Sequence, residues 1–588
     1  MKYLAKVLKF ITLRRRLQLI ALSGLIFLSS SFELISLGAV IPFLVAITSP
    51  EKVFHHDAAQ PLINMLQIRN PEQLVFPIVV LFIFASIFSA AIKIFLIWFG
   101  ARLTYRIGAD ISLDMYSRTL HQPYTVHISR NSSEVIGGIT AKTSAVISGG
   151  LMPAFQLISA LLTLFMITFG LIIINPLIAF TIFLSFGLIY GSLSFFTRKK
   201  LSQNGQKIAT EYTKVLKCLQ EGLGGIRDIL LRHCQLIYCR NYRDADLLVR
   251  QSQANSHFIS SSPRYIMEAL GLSMMAYFAY YLTQESAGLE VALPILGLIA
   301  LAAQRMLPAL QQAYGSWAVI RTNEASIQDA LALLEQPMPY EFKDNDQSIV
   351  FRNEIKFNSV TFSYPLSHTP ILTNVNLKIR KGEKIGIIGK TGCGKTTLVD
   401  LLMALLDPTD GYIDVDGTVI DSSTRRAWQS HIAHVSQTIY LSDSTVAENI
   451  AFGLPVKEID QHRVQAAARQ AIIDDFIMSL PRGYQSIVGE RGIALSGGQR
   501  QRIGIARALY NRADVIIFDE ATSALDNSTE DLVMDSIDKI CQDLTVVIIA
   551  HRLSTLKKCD RIIELKNGFI ERTGSYIYMT SVTSSDVD

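Results

Sequence analysis

The sequence lacks paired cysteines, a strong charge bias and a recognisable cleavage site for a signal peptide. Its six cysteines are scattered and none forms a Cys-x-x-Cys pair, so reduced, buried or cytosolic thiols are expected. The formal net charge of +5 indicates no class of charged partner. The basic N-terminal segment runs directly into a long apolar stretch, so no cleaved leader is expected.

Apolar sequence is abundant, and it is concentrated in the first 335 residues. The chain is 49% apolar with a mean hydropathy of +0.30. A helix needs about 20 mostly apolar residues to cross a bilayer. We predict six membrane spans, at about 17–47, 74–100, 150–174, 177–196, 261–283 and 290–312.

Charges beside the spans predict their orientation. The segment "MKYLAKVLKFITLRRR" is expected to form a basic amphipathic helix on the cytoplasmic face, with Arg14–Arg16 keeping the N-terminus inside. Six spans return the chain to the cytoplasm, where a following soluble domain would lie. In the loop 49–73, "PLINMLQI" is a candidate for a short external helix.

A phosphate-binding loop lies in the second half of the chain. The stretch "GKTGCGKTT" fits G-x-x-x-x-G-K-[ST] and lies between the apolar runs "KIGIIG" and "LVDLLMAL", so strand, loop and helix follow in the required order. Backbone N–H groups of such a loop surround phosphates at a helix N-terminus. Lys395 is expected to reach the β- and γ-phosphates and Thr396 to bind Mg²⁺. The residues of this loop predicted to contact ATP are Gly389, Lys390, Thr391, Gly392, Cys393, Gly394, Lys395, Thr396 and Thr397.

Two acids end an apolar strand further along, in "DVIIFDE". Asp519 is expected to join the Mg²⁺ shell. Glu520 is expected to polarise the attacking water, as a positioned carboxylate does in phosphoryl transfer.

Between the loop and these acids, "LSGGQRQR" (495–502) resembles the signature motif of the ATP-binding-cassette (ABC) superfamily. Other elements similar to that family occur in the expected order. The resemblance implies that Tyr364 stacks on adenine, that Gln437 contacts Mg²⁺ and takes part in catalysis, and that His551 acts near the γ-phosphate. The remaining residues that the resemblance assigns to ATP are Ser496, Gly497, Gly498 and Gln499 of the signature and Asp526 of "SALD". Taken singly, Tyr364 could be a core aromatic, His551 a loop histidine and Ser496 a helix N-cap.

The resemblance implies a half-transporter of the ABC exporter type. The implied fold class is multidomain, an all-α six-helix transmembrane domain followed by an α/β P-loop nucleotide-binding domain. We predict a transmembrane domain over 1–335, a linker over 336–348, a nucleotide-binding domain over 349–575 and a flexible tail over 576–588. In this family a signature loop completes the ATP site of the opposite cassette, which favours a homodimer over a heterodimer with a related chain. "HQPYTVHISR" (121–130) and "GLGGIRDILL" (222–231) resemble coupling helices or are plain turns.

Charges within the spans give the clue to the substrate. On a rise of about 1.5 Å per residue, Arg305 and Glu268 lie about 22 Å into the membrane, and Arg264 and Lys93 about 28–30 Å. Such charges usually face a cavity or a partner. One interpretation is a net-cationic level that binds an anionic head group. The alternatives are internal pairs, Glu268 with Arg264 or with Arg305, and snorkelling of Lys93 and Arg264 to the interface. Glu33 has no assigned role.

Three stretches are similar to bacterial ABC flippases of lipid-linked oligosaccharides: "FELISLGAVIPFLVAI" (32–47), "SPRYIMEALG" (262–271) and "QRMLP" (304–308). The resemblance implies ATP-driven movement of a polyprenyl-pyrophosphate-linked saccharide across the cell inner membrane. The alternatives are export of a peptide, a drug or a lipid A-like lipid, or an ATP-gated membrane regulator without transport. No nucleic-acid partner is expected, because soluble ABC ATPases of DNA repair or translation lack the six spans.

Overall fold

The chain divides into two units. The computed structural model describes residues 2–48, 50–55, 60–174, 176–284, 289–338, 348–365, 369–520, 544–550 and 553–583, with residues 530, 532 and 535. A membrane unit comprises Met1–Gln122 and Ser129–Met338, and a cassette unit comprises Pro123–Ile128 and Pro339–Asp588. The boundary at 338 lies close to the predicted one at 335. Unlike the prediction, a short segment from 123 to 128 groups with the cassette.

Helices make up the described part of the membrane unit. Three helical stretches there are long and apolar enough to cross a membrane, Leu13–Ser36, Pro71–Leu120 and Val135–Ile173, and the other three predicted spans lie on α11, α14 and α15. The α-helices of the first 334 residues, of which α7 groups mainly with the cassette unit, are α1 (Lys2–Val7), α2 (Leu13–Gly38), α3 (Val40–Thr48), α4 (Pro50–Phe54), α5 (Gln60–Leu66), α6 (Val75–Leu120), α7 (Tyr124–Ser129), α8 (Ser132–Gly137), α9 (Thr143–Val146), α10 (Met152–Ile174), α11 (Pro176–Gly224), α12 (Ile226–Leu231), α13 (Gln235–Ser261), α14 (Pro263–Gln284), α15 (Leu289–Thr322) and α16 (Glu324–Leu334). Short 3₁₀ segments, Leu8–Phe10 and Pro71–Leu74, and π segments, Gly138–Lys142 and Ile147–Leu151, join some of them. Most of the stretch "PLINMLQI" is helical, as part of α5.

The first predicted span is interrupted at Ala39. Helix α2 ends at Gly38 and α3 begins at Val40. Pro42 explains the break, because it has no N–H to donate to the carbonyl four residues earlier, that of Gly38. The chain continues through the hydrogen bond from Phe43 N to Ala39 O at 3.3 Å.

The N-terminal helix α1 packs on protein. Leu4 and Val7 are buried in one cluster with Ile327 and Leu331 of α16, and Lys6 lies 3.5 Å from Glu335. The sequence predicted a helix lying on the membrane face. A helix does form, but its buried side chains are covered by the apolar stripe of α16, which removes them from water as effectively as lipid does.

The cassette unit contains two sheets. Strands β1 (Glu354–Phe362), β2 (Leu372–Arg380), β4 (Asp410–Val415) and β5 (Thr418–Val419) form a four-stranded sheet in the order β2-β1-β4-β5. Strands β3 (Lys384–Ile388), β6 (Ile432–Val435), β7 (Val515–Asp519), β8 (Thr545–Ile549), β9 (Arg561–Lys566) and β10 (Phe569–Gly574) form a six-stranded sheet in the order β10-β9-β3-β8-β7-β6. Strands β6, β7, β8, β3 and β9 pair in parallel, so the segments that follow β3 and β7 meet at one edge.

Helices cover both faces of the parallel sheet. Alternate residues of β7 contribute to two separate apolar cores, Ile516 and Phe518 to one and Val515 and Ile517 to the other, as expected for a strand buried on both faces. The α-helices of the described cassette are α17 (Lys395–Leu402), α18 (Arg425–Gln429), α19 (Val446–Ile450), α20 (Gln461–Gln470), α21 (Asp474–Ser479), α22 (Gly497–Tyr510) and α23 (Tyr576–Thr583).

The prediction of a flexible tail over 576–588 is wrong for its first part. Residues 576–583 form helix α23. Met579 is buried in the cassette core and Tyr576 packs against the same cluster. These two apolar side chains anchor a segment whose polar composition suggested a free end. Residues 584–588 lie outside the described part of the chain.

Candidate nucleotide site and membrane charge cluster

The phosphate loop connects β3 to α17 through glycines in conformations that other residues rarely adopt. The φ angles of Gly389, Gly392 and Gly394 are 151°, 85° and 104°. At Gly389, a Cβ would also lie 2.3 Å from the carbonyl oxygen of Leu565, so the loop approaches the end of β9 too closely for any side chain. The sequence thus produces a tight loop directly at a helix N-terminus, where backbone N–H groups attract anions.

Lys395 lies across this loop. Its side chain is buried, and Nζ donates to the carbonyl oxygens of Gly389 at 2.8 Å and Lys390 at 3.3 Å. Of the next two residues, Thr396 is exposed and Thr397 is buried. An ammonium group therefore sits inside the loop, and the hydroxyl open to a ligand at the first turn belongs to Thr396.

The carboxylates predicted from "DVIIFDE" lie at the carboxyl edge of the same sheet. Asp519 is the last residue of β7, and Glu520 follows with a φ of 50°. Gln437, distant in sequence, donates from Nε2 to Glu520 Oε2 at 2.6 Å. The structure thus brings together two of the residues predicted to take part in catalysis.

The donor set at this edge fits Mg²⁺. Magnesium prefers oxygen ligands and normally keeps several waters and substrate phosphates in its shell, so one or two protein ligands suffice. The hydroxyl of Thr396, the carboxylate of Asp519 and the amide oxygen of Gln437 are ligands of this kind. Among the residues that the structure describes, no three His, Cys, Asp or Glu side chains come together in a metal-binding group.

The signature residues form the start of α22. Ser496 is the N-cap: its Oγ accepts from Gln499 N at 3.2 Å, and Gln499 Oε1 accepts from Ser496 N at 2.8 Å. This reciprocal pair is a capping box. Gly497 and Gly498 form the first turn without side chains, which leaves the backbone N–H groups of this helix end accessible. The N-cap interpretation of Ser496 therefore describes the geometry, and it is compatible with anion binding.

Tyr364 lies beside the phosphate-loop helix. Its ring packs edge-on against Phe362 at a centroid distance of 5.0 Å, and its hydroxyl lies 3.5 Å from Thr397 Oγ1. The core-aromatic interpretation accounts for the packing, and the position also suits contact with a nucleotide. Asp526 and His551 lie outside the described residues, so their roles remain sequence predictions.

Asp400 is a charged residue at this site that sequence reasoning missed. It is buried on α17, and burial together with the negative charge of Asp519 raises the pKa of its carboxyl from 3.8 to about 6. Burial, and after it the negative charge of Asp400, raises the pKa of Tyr124 at the start of α7. The sequence feature that could have identified Asp400 is the presence of an acid within the apolar helical run "LVDLLMAL".

This shift predicts a pH-dependent gain in stability for Asp400→Asn. Between pH 3.8 and about 6 the folded wild-type protein retains a proton that the unfolded chain has released, so ionisation destabilises the fold progressively as the pH rises. The melting temperature of the variant minus that of wild type should therefore rise across this pH window and then level off. Each kcal/mol of destabilisation that the variant avoids should raise the difference by roughly 2–4 °C. Differential scanning fluorimetry of both proteins from pH 4 to pH 8 measures the difference. A difference that is independent of pH would contradict the assignment.

A second group of charges lies in the membrane unit around Glu33, which is buried on α2. Glu33 Oε1 lies 3.2 Å from Lys93 Nζ and 3.7 Å from Arg305 Nη1. Its Oε2 accepts from Thr163 Oγ1 at 3.4 Å. The structure thus gives a partner to two of the predicted cations, and it assigns a contact to an acid whose role the sequence left open.

The other two predicted cavity residues form a separate pair. Arg264 Nε lies 2.9 Å from Glu268 Oε1, which is the i, i+4 pairing considered from the sequence. Together the two groups contain three cations, Lys93, Arg264 and Arg305, and two anions, Glu33 and Glu268. The excess positive charge is therefore confined to the cluster of Lys93 and Arg305.

The membrane unit also contains an apolar cavity of about 1030 Å³. It lies between α10, α11 and α15, and Met306 and Leu310 of α15 line it together with aromatic residues of the other two helices. Those aromatic residues are Phe165, Phe169, Phe180, Phe183 and Phe186. The membrane unit therefore offers an apolar cavity in addition to the charge cluster around Glu33.

Comparisons with known families match both halves of the chain. A family model described as the ABC transporter transmembrane region matches residues 20–304, and one described as ABC transporter matches residues 372–523. The predicted fold class, helical transmembrane domain followed by α/β nucleotide-binding domain, is confirmed.

Relatives and a solved structure extend along most of the chain. The ATP-dependent lipid A-core flippase of Saccharophagus degradans is 30% identical over 506 residues, which is 82% of this chain and 81% of the relative. A flippase of the same name from Burkholderia orbicola is 44% identical over 225 residues, 38% of this chain and 37% of its own. A structure of a bacterial Atm1-family ABC exporter with ATP bound superposes with a TM-score of 0.78 at 22% identity, over 97% of this chain and 96% of that one, and so shares its fold.

Proposed function

Because this chain belongs to the ABC transporter family and is an exporter-type ATPase that drives translocation, we propose that it flips an anionic lipid-linked saccharide. The substrate is a polyprenyl-pyrophosphate-linked oligosaccharide, moved from the cytoplasmic to the outer leaflet of the cell inner membrane. The working form is a homodimer whose cassettes face the cytoplasm.

The observation that supports this substrate is the charge cluster around Glu33. Lys93 and Arg305 share the single carboxylate of Glu33, which leaves a net positive charge at membrane depth. Isolated charge there is costly, and it usually marks a substrate pathway. A pyrophosphate offers several anionic oxygens to a guanidinium fork. The cavity of about 1030 Å³ beside Met306 provides an apolar surface for the attached lipid.

ATP chemistry in this proposal rests on the edge formed by the phosphate loop and β7. The glycine-rich loop and Lys395 bind the phosphates, and Thr396 and Asp519 hold Mg²⁺, which neutralises phosphate charge when bound. Glu520 accepts a proton from the attacking water, and Gln437, whose amide donates to Glu520 at 2.6 Å, keeps that carboxylate oriented. Ser496 acts on the nucleotide of the partner cassette, with Asp526 and His551 assigned by resemblance alone.

Transmission to the cassettes is assigned to α7 and α12. Both are short helices within the two stretches that resemble coupling helices, and Pro123–Ile128 groups with the cassette unit. Helix α7 follows α6 directly along the chain. Nucleotide-driven movement of the cassettes would therefore reach the membrane helices through α6.

A lipid A-core lipid is the second candidate substrate. The observation that favours it is the name shared by the relatives, ATP-dependent lipid A-core flippase. Such a lipid is also amphipathic and phosphorylated, so the same cluster and cavity could accept it.

Stimulation of ATP hydrolysis in proteoliposomes separates these candidates. We expect a polyprenyl-pyrophosphate glycan to raise the ATPase rate several-fold, because substrate-driven closure precedes hydrolysis in coupled transport. Lipid A-core, the same glycan on an uncharged polyprenol, a peptide and a cationic drug serve as comparisons. Stronger stimulation by lipid A-core would favour the second candidate. ATP turnover that no substrate changes would instead favour an ATP-gated regulator.

A further inference from the structure

Glu33 lies at the point where four helices of the membrane unit meet. Its own helix α2 supplies two buried hydroxyls one turn away on either side, Ser30 and Ser36. Ser30 Oγ lies 3.2 Å from Thr163 Oγ1 of α10, and Thr163 in turn donates to Glu33. From α15, Arg305 donates through Nη2 to Ser36 Oγ at 3.3 Å. The carboxylate is therefore fixed by neighbours on several sides.

The charges of this cluster differ in accessibility. The Glu33 side chain is 9% exposed, whereas that of Lys93 is 55% exposed and that of Arg305 is 34% exposed. The anion thus forms the inner side of the cluster, and the two cations form the side that an incoming ligand can reach. A ligand that binds Lys93 and Arg305 must compete with a carboxylate that is already in place.

We propose that Glu33 is a built-in competitor that selects multiply charged lipid head groups over the singly charged lipids of the surrounding bilayer. This inference rests on the proposed function and names the selectivity residue of the same site. A phosphodiester lipid carries one negative charge, as Glu33 does, so it gains little by displacing a fixed and hydrogen-bonded carboxylate. A pyrophosphate carries more charge on more oxygens and binds the guanidinium and the ammonium group together.

The cluster has a physical reason to contain an anion. Two cations without a counter-charge would be costly at membrane depth, and they would attract any anionic lipid. With Glu33 in place, the empty site carries one net positive charge instead of two, and the substrate exchanges one anionic partner for a stronger one. Specificity then comes from a penalty on the wrong ligand as well as from attraction to the right one.

Binding to the full-length protein in phosphatidylcholine nanodiscs tests this inference. Radiolabelled geranylgeranyl pyrophosphate is the multiply charged probe, phosphatidylglycerol the singly charged competitor and geranylgeraniol the uncharged control. Inorganic pyrophosphate, added as a further competitor, shows whether the lipid is needed for affinity. Glu33→Gln should bind both anions more tightly, and phosphatidylglycerol should gain more, so that the preference for pyrophosphate over phosphodiester falls about tenfold. The control is Asp110→Asn. Asp110 lies on α6, as Lys93 does, and its carboxylate is 2.8 Å from Arg15 of α2. This change should leave the preference unchanged.

A second pair of variants keeps the test valid if Glu33→Gln fails to fold. Lys93→Met should weaken pyrophosphate binding but retain the preference, because Arg305 still faces Glu33. Lys93→Met with Glu33→Gln should lose the preference. If wild type prefers pyrophosphate and the variants lacking Glu33 keep that preference, the inference is wrong and the proposed function stands. If wild type binds geranylgeranyl pyrophosphate no better than geranylgeraniol, the proposed function fails and the inference fails with it.

Discussion

Replacing Glu520 by glutamine should lower the rate of ATP hydrolysis by about 10²–10⁴-fold, the usual contribution of a positioned general base, while ATP binding persists. The glutamine side chain has the same length, and its amide oxygen can still accept from Gln437, which donates to Glu520 at 2.6 Å. Only the capacity to take a proton from water is removed. Phosphate release measures turnover, and a fluorescent ATP analogue measures binding.

The control for this variant is Glu571→Gln, the same chemical change at an exposed residue of β10 that pairs with Lys566 at 2.7 Å. It should retain full turnover. Substantial hydrolysis by Glu520→Gln would show that another group activates the water. Loss of nucleotide binding together with turnover would show that the variant has disturbed the loop and would leave Glu520 without a specific chemical role.

Arg305→Ala should lower the number of pyrophosphate lipids flipped per ATP hydrolysed by roughly 10–100-fold. That range follows from the loss of a hydrogen bond to a charged group, worth about 1.5–3 kcal/mol. Glu33 would still have Lys93 as its partner at 3.2 Å, so the change does not leave a buried anion unpaired. A lipid-flipping assay and ATPase assay on the same proteoliposomes give the ratio.

Two further variants define what Arg305 contributes. Arg305→Lys keeps the charge but loses the planar fork, so its effect should be intermediate. Arg102→Ala removes another arginine of the membrane unit, one that stacks on Trp98 at 4.6 Å, and should leave the ratio near that of wild type. Equal flipping by wild type and Arg305→Ala would contradict contact between this residue and the substrate anion.

The nucleotide edge could be predicted because its residues are positioned by local sequence and by sheet order. Gly389 to Gly394 form one continuous loop that leads into α17, and three of its glycines have φ angles that other residues rarely adopt. Asp519 and Glu520 end a strand that is apolar throughout, and parallel strands bring their carboxyl ends to one edge. What remained hidden was Asp400, since its significance depends on proximity to Asp519 across the fold.

The charge cluster around Glu33 was only partly predictable, because the sequence gives the depth of a residue in the membrane but not the rotation of its helix about the helix axis. Counting residues placed Lys93 and Arg305 within about 8 Å of each other in depth, yet which way each helix faces depends on packing among α2, α6, α10 and α15. The same limit left Glu33 without a partner and left the pairing of Arg264 with Glu268 as one option among several. The first part of the C-terminal tail, α23, was misjudged because buried side chains such as Met579 outweigh a polar average.

The capping box at Ser496 has a consequence for how the signature loop can work. A serine hydroxyl carries one proton and two lone pairs, and the cap uses a lone pair, because Gln499 N is the donor. The proton is not consumed by the cap, and the cap holds the oxygen in place at the tip of α22. One atom can therefore terminate its own helix and offer a hydrogen bond outward at the same time, so this serine needs no rearrangement before it meets a phosphate on another molecule.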